Sequence, residues 1–365
     1  MTAEIDWSSV RRVLVVRLRS IGDTVLSTPS LIALRRFLPE SEIDILVEDW
    51  VAPVLDGFEG VGKIVVAREG FLSRLTTARQ VRSRRYDVVF NLHGGTTATF
   101  FARASGARHR VGYENYQYSF LYNHLLSSSR DFWKRDRTHS AEQQLALLGF
   151  VGIPVEDLPG SRVPVSPDSL QSAGQKFYER EGNGIEELGE FVLIHPAAAF
   201  DTKEWAAGNF ARVAEFLNDR GLSAVAIATE KERAVLENLK AQARVPIRAF
   251  DNFTLPEIAA LASRARLFVG NDSGIAHIAA AAGTPSVVIF GSSNRDHWRP
   301  WTDAPNEIVF EEFRCQPCAG FECREFGEPR CIHNVSVASV TGAIERVLEK
   351  ERADPKARPE GVLVQ

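Results

Sequence analysis

The chain has 365 residues, 44% of them apolar and 25% charged. This is the composition of an ordinary globular protein, and it excludes a disordered, collagen-like or fibrous chain. At about 150 residues per domain the length asks for two domains. With 43 basic and 47 acidic residues the formal net charge is −4, so nothing argues for nucleic acid as a partner.

Glu4 and Asp6 stand where a secretory signal needs positive charge, and Arg17 interrupts the apolar run that follows. No run of about 18 apolar residues offers a bilayer span. The expected address is therefore cytoplasmic, with membrane contact at most peripheral. Residues 12–18 read as a buried strand rich in β-branched Val13, Val15 and Val16. Thr28 and Pro29 then look like an N-cap and first helical position, leading into a helix over 30–37. Residues 43–47, 63–66 and 87–92 read as three further strands. The basic clusters Arg82-Ser83-Arg84-Arg85 and Arg108-His109-Arg110 read as solvated faces or as surfaces for acidic sugars or lipid headgroups. The stretch 157–168 carries three prolines and a glycine and is the expected linker. Beyond it, 191–195, 223–228, 267–269 and 286–290 read as strands, with helices over 209–219 and 231–242. Strands separated by helix-length segments give βαβ units and parallel sheets. The expected fold is α/β: two doubly wound domains facing a cleft, with ligands at the carboxyl ends of the strands. The boundaries fall at 1–165 and 166–345, and 346–365 is expected to be a helix end and a solvated tail.

Four segments carry chemistry. In the first, Arg17-Leu18-Arg19-Ser20-Ile21-Gly22-Asp23 leaves the first strand and places Asp23 at a sheet edge. There it can take a proton from a substrate hydroxyl or cap the next helix. The second is Gly270-Asn271-Asp272-Ser273-Gly274, followed by a helix that includes His277. Its free N–H groups and positive dipole end suit a diphosphate; a plain βα loop capped by Asp272 or Ser273 is the alternative. The third runs from Ile194 to Trp205 and contains Lys203, which either stabilises charge on a departing phosphate or is a solvated lysine. The fourth holds all four cysteines: Cys315, Cys318, Cys323 and Cys331. They suit a thiolate-bound zinc or an iron–sulfur cluster, or else remain buried thiols or one labile disulfide. No Asp-x-Asp pair occurs, so a carboxylate-held magnesium has no evident ligand. Walker and nucleophile-elbow motifs are absent as well.

In their order along the chain these segments resemble glycosyltransferase family 9, the ADP-heptose:lipopolysaccharide heptosyltransferases. The resemblance rests on VVRLRSIGDTVLSTPSLIALRRFLP, HPAAAFDTKEW, VGNDSGIAHIAAAAGTPSVVIFGSSN and the CQPC segment, and runs from about Arg11 to Val347. It implies two Rossmann-like domains of the B-type glycosyltransferase fold, the first holding a lipid-linked glycan acceptor and the second a nucleotide sugar, ADP-heptose. It implies direct displacement with inversion, independent of metal, with Asp23 as general base. Lys203, Asp272, Ser273, Gly274, His277 and, more loosely, Glu230 fall on donor-binding positions, and Arg17, Arg19 and His93 on the acceptor side. It requires no cofactor for catalysis and leaves the cysteines a structural zinc or none. Work at the cytoplasmic face of the inner membrane follows from a lipid-linked acceptor. Ala197 and Ala199 replace glycines frequent in the family, and His93-Gly94-Gly95 departs from its arginine-containing loop. Transfer from another nucleotide sugar, nucleotide-sugar 2-epimerisation and a degenerate binding protein are the competing readings.

Overall fold

A computed structural model of the chain describes residues 4–318 and 321–353. The chain divides into two compact units, Met1–Val163 and Pro164–Gln365. The division lies inside the proline-rich stretch.

The first unit runs β1 (Arg12–Val16), α1 (Ile21–Val25), α2 (Thr28–Phe37), β2 (Glu42–Glu48), β3 (Lys63–Ala67), α3 (Phe71–Ser83), β4 (Val88–Asn91), α4 (Gly95–Ala104), β5 (His109–Tyr113), β6 (His124–Leu126), α5 (Ser129–Trp133) and α6 (Ser140–Phe150). The second runs α7 (Pro167–Glu181), β7 (Phe191–His195), α8 (Ala207–Asn218), β8 (Ser223–Ile227), α9 (Arg233–Gln242), β9 (Ile247–Phe250), α10 (Leu255–Arg264), β10 (Leu267–Asn271), α11 (Gly274–Ala281), β11 (Ser286–Phe290), α12 (Arg295–Trp298), β12 (Asn306–Phe310), α13 (Arg330–His333) and α14 (Val337–Ala353).

Each unit holds one six-stranded sheet, ordered β3-β2-β1-β4-β5-β6 and β12-β11-β10-β7-β8-β9. Every adjacent pair is parallel. Read from β9, the second order is the first again, counted from β7. This is the doubly wound α/β order, whose direction reverses between the first and fourth strands. Helices cover both faces, so the central strands β7, β10 and β11 are buried at every position. Sheets covered on both faces need continuous apolar runs rather than alternation, which is why these strands are readable as short aliphatic stretches.

The missed strands lack that signature. β5 begins His-Arg, β6 has three residues, and β9 and β12 are edge strands. Two local expectations are corrected. Ser27, not Thr28, precedes α2; Thr28 is its first residue, and its hydroxyl donates to Val25 O and accepts from Arg162 N. The Arg108–Arg110 cluster is not a wholly solvated face, because His109 is buried in β5. The helix that ends the second unit packs Val340, Ile344 and Val347 into that unit's core, against α8, β11 and β12. The expected solvated tail lies mostly beyond residue 353, outside the described residues. No helix among the described residues is long and apolar enough to cross a membrane.

Candidate functional site

In a doubly wound sheet the two loops that leave the central strands in opposite directions open a crevice at the carboxyl edge. In the first unit these are the exits of β1 and β4. Arg17 leaves β1 with its backbone N–H donating to Leu46 O, and its buried guanidinium donates to Leu92 O, at the exit of β4, at 2.5 Å. The same guanidinium pairs with Oδ1 of Asp23. The other carboxylate oxygen accepts from the Ser20 backbone N–H at 3.2 Å and its hydroxyl at 3.0 Å. Asp23 therefore closes a capping box on α1. The cap left open in the sequence is formed, with the carboxylate at the third helical position. Its side chain stays 17% exposed.

His93 belongs to the same cluster. Burial, then the positive charges of Arg17 and Arg19 outweighing Asp23, push its imidazole down to about 4, so it is neutral at pH 7. The loop is set by Asn91, whose Oδ1 accepts from the N–H groups of His93 and Gly94 at 3.0 Å each and whose amide donates to the Tyr122 hydroxyl at 2.6 Å. Gly94 takes φ +73°, which a side chain resists. The structure thus brings Arg17, Arg19, Asp23 and His93 together at one edge. Asn91 went unnoticed because nothing in its local sequence separates it from an ordinary strand-end asparagine.

In the second unit the corresponding exits are those of β7 and β10. Lys203 Nζ donates to Asp272 Oδ2 at 2.9 Å, and the Ser293 hydroxyl donates to the same oxygen at 2.5 Å. Ser273 is the N-cap of α11, and its hydroxyl lies 3.3 Å from His195 Nδ1. Burial pushes His195 down to about 4, so a neutral ring sits behind that hydroxyl. Gly274 is the first residue of α11, and His277, one turn on, is buried. Asn271 holds the lysine loop in place: its amide donates to Pro196 O and its oxygen accepts from the Trp205 N–H. Lys203 is thus not a solvated lysine; it is one member of an ion pair.

The loop after β11 closes the cluster. Ser292 donates from its N–H to Thr202 O at 3.1 Å and from its hydroxyl to Thr202 Oγ1 at 2.9 Å. A Cβ on Gly291 would stand 2.1 Å from Thr202 O, so only glycine permits this approach. In the sequence, Ser292 and Ser293 are legible only as part of the GSSN that ends the block VGNDSGIAHIAAAAGTPSVVIFGSSN. Glu230 does not join this cluster. Its carboxylate is 84% exposed and lies 3.8 Å from Arg233. The acidic residue whose charge reaches His195 is Glu232, whose carboxylate also accepts from the Thr229 N–H and hydroxyl.

Cys315, Cys318, Cys323 and Cys331 line one cavity together with Thr202 and Ser292. All four are free thiols in this structure. The Cys318 thiol donates to Cys315 O at 3.0 Å, and burial with the neighbouring sulfurs raises the Cys318 and Cys331 thiols. Among the described residues no group of three or more His, Cys, Asp or Glu is placed to hold a metal ion. A metal here would rest on the cavity's composition alone. The segment also forms more regular structure than its composition suggests, since Cys331 lies in α13.

Comparison with known proteins gives a consistent result. The family model described as glycosyltransferase family 9 (heptosyltransferase) matches residues 74–327. Lipopolysaccharide heptosyltransferase 3 of Escherichia coli is 27% identical over 350 residues, 91% of this chain and 97% of that protein. Among solved structures, the glycosyl transferase family 9 protein from Veillonella parvula matches with TM-score 0.78 at 20% identity, covering 96% of this chain and 99% of its own. E. coli ADP-heptose lps heptosyltransferase II matches with TM-score 0.75 at 20% identity, covering 93% and 99%. Both structures share the two-sheet fold.

Proposed function

The chain belongs to glycosyltransferase family 9, the heptosyltransferases, and is a glycosyltransferase; from that premise we propose that it moves a heptose from ADP-heptose to a lipopolysaccharide core or related envelope glycan. One observation carries the donor half: Lys203, paired with an Asp272 oxygen that also accepts from Ser293, beside the start of α11. An ammonium has three N–H donors, and Asp272 takes one. Two remain for a diphosphate, with the N–H groups that open α11 adding to them. The name of the E. coli structural relative, an ADP-heptose heptosyltransferase, supports the choice of nucleotide and sugar.

The acceptor half is assigned to Asp23. In the proposed step the acceptor oxygen forms its bond to the anomeric carbon as the bond from that carbon to the ADP oxygen breaks, with inversion. The acceptor's proton passes to Asp23. Charge on the departing ADP falls on Lys203 and the α11 N-terminus. Arg17 and Ser20 fix the carboxylate's orientation, and His93, neutral beside it, can accept or donate a hydrogen bond to an acceptor hydroxyl. Lysine and helix N–H groups do here what a metal does elsewhere, so no cofactor takes part. A lipid-linked acceptor places the work at a membrane surface, on its cytoplasmic face.

The test is transfer to a heptose-accepting core oligosaccharide with a panel of nucleotide sugars in excess EDTA. ADP-heptose should be the preferred donor, and chelation should leave the rate unchanged. Preference for another donor overturns the sugar assignment, and product from donor alone points to an epimerase. If chelation stops transfer and magnesium restores it, the metal-free mechanism is wrong.

A further inference from the structure

Helices that cover a sheet bury an apolar stripe and turn their charges outward. α3 departs from this rule. It packs against β3 and α4, but it buries only Thr77 and Val81. The two apolar side chains that open it, Phe71 and Leu72, are 75% and 76% exposed. At 100° per residue, Leu72, Arg79 and Ser83 lie opposite that buried pair. Phe71, Leu75 and Arg82 flank them on the same outward half. The outer stripe therefore starts with an apolar turn and continues, about 12 to 16 Å further on, with arginines.

The charge of this stripe is one-sided. The protein carries −4 overall, yet between Glu69 and Asp87 there are five arginines and no acidic residue. Arg84 is committed to Glu42 and Asp44. Arg74, Arg79, Arg82 and Arg85 make no ion pair among the described residues. α3 also begins at the carboxyl end of β3, the same sheet edge that carries Arg17, Asp23 and His93.

We infer that the outer face of α3 is a docking surface for an anionic lipid bilayer, with Phe71 and Leu72 entering the interface and Arg79 and Arg82 meeting headgroup phosphates. Apolar side chains at one end of a helix with unpaired cations along the same face match an interface that is apolar below and negative above. A protein partner of similar size would need no such cationic excess. The inference deepens the proposed lipid-linked acceptor, because it names the surface that would bring the Asp23 edge to that lipid.

The experiment is co-sedimentation of the full chain with phosphatidylglycerol-containing vesicles and with pure phosphatidylcholine vesicles, at low and high salt. Binding uses neither donor nor transfer, so its failure is distinguishable from failure of the transferase reading. Wild type should bind the anionic vesicles at least tenfold more tightly than the neutral ones, and salt should weaken that binding. Phe71→Ser/Leu72→Ser and, separately, Arg79→Glu/Arg82→Glu should each lower it at least tenfold. Turnover on a water-soluble acceptor should stay unchanged. The inference is overturned if wild type does not bind, or if both double variants bind as wild type does. It is equally overturned if Phe71→Ser/Leu72→Ser shifts the oligomeric state by light scattering and leaves vesicle binding intact, since the patch would then join two copies of the chain.

Discussion

At the carboxyl edge of the first unit's sheet, the exit of β1 supplies both a cation and a carboxylate, Arg17 and Asp23, six residues apart. At the same edge of the second unit's sheet, the exit of β7 supplies only the cation, Lys203. Its carboxylate, Asp272, arrives 69 residues later from β10. The first pair is made by one loop and a short capped helix. The second needs the β7–β10 register, in which Gly270 stands beside His195, and also Ser293 from beyond β11. The burial differs too: the Arg17 side chain is 10% exposed and that of Lys203 24%. An identical strand order thus holds a locally built carboxylate beside a nearly closed cation in one unit. In the other it holds a cation assembled at long range and left more open. That is the division expected if one unit takes a proton and the other receives an anion.

The largest expected effect tests the first site. Asp23→Asn keeps the size of the side chain and loses the proton acceptor. Transfer should fall at least a hundredfold while donor affinity, measured by calorimetry, stays within about twofold. Asparagine at this position also leaves the buried Arg17 without its anion, so thermal stability must be recorded alongside. Transfer within about threefold of wild type would reduce Asp23 to a helix cap and erase the contrast between the two edges.

Next comes the second site. Lys203→Ala should cost about a hundredfold in kcat, the scale of losing one preorganised donor to developing negative charge. Unlike Asp23→Asn it should also weaken ADP binding. Ser293→Ala removes one of two hydrogen bonds to Asp272 and should cost about tenfold or less. If Lys203→Ala leaves ADP affinity untouched, the lysine is a structural partner of Asp272 and the donor site lies elsewhere.

Sequence alone carried eight of the twelve described strands, because sheets buried on both faces write themselves as runs such as Val13–Val16 and Val287–Phe290. It also carried Asp23, Lys203 and Asp272, whose loops keep their order. It did not carry the connections between them. That Lys203 meets Asp272, that Ser293 shares the same oxygen and that Asn271 braces the lysine loop are contacts between residues 21 to 75 positions apart. No local pattern encodes them. The turn after β8 carries a finer choice: Glu230 faces solvent near Arg233, while the charge of Glu232 reaches His195. A one-residue choice of that kind depends on the turn's dihedrals.

A smaller effect on turnover is expected from the cysteines, which belong to the second unit. Cys318 N–H donates to Ser292 O at 2.9 Å, and Ser292 in turn holds Thr202, next to Lys203. The segment therefore braces the lysine loop from behind. Cys318→Ser should lower Tm by several degrees while turnover at a permissive temperature stays within about threefold. Metal analysis of protein purified without chelator decides the zinc question. Stoichiometric zinc would make the brace a thiolate centre; four titratable thiols without metal would make it packed cysteine. A variant with unchanged Tm and greatly reduced turnover would move the cysteines from scaffold to chemistry.

The smallest effect separates the units by pH. His93, His109 and His124 in the first unit and His195 in the second are all held below the ordinary imidazole range by burial. The native protein therefore refuses protons that the unfolded chain accepts below about pH 6.5. Stability from these groups is complete above that pH and falls as pH drops toward about 4, where His93 and His195 finally titrate. The first unit has the further constraint of an imidazole pair. His109 Nδ1 and His124 Nε2 lie 2.9 Å apart with room for one proton between them, and charging both rings would set two N–H groups against each other. Amide exchange should accordingly quicken in β5 and β6 before β7 and β10 as pH falls from 7 to 5. His124→Gln should flatten the fall of Tm over that range by a few degrees, whatever it does to Tm at pH 7.5. An unchanged slope, or second-unit strands opening first, would mean that the acid sensitivity of this fold does not lie in the histidine pair.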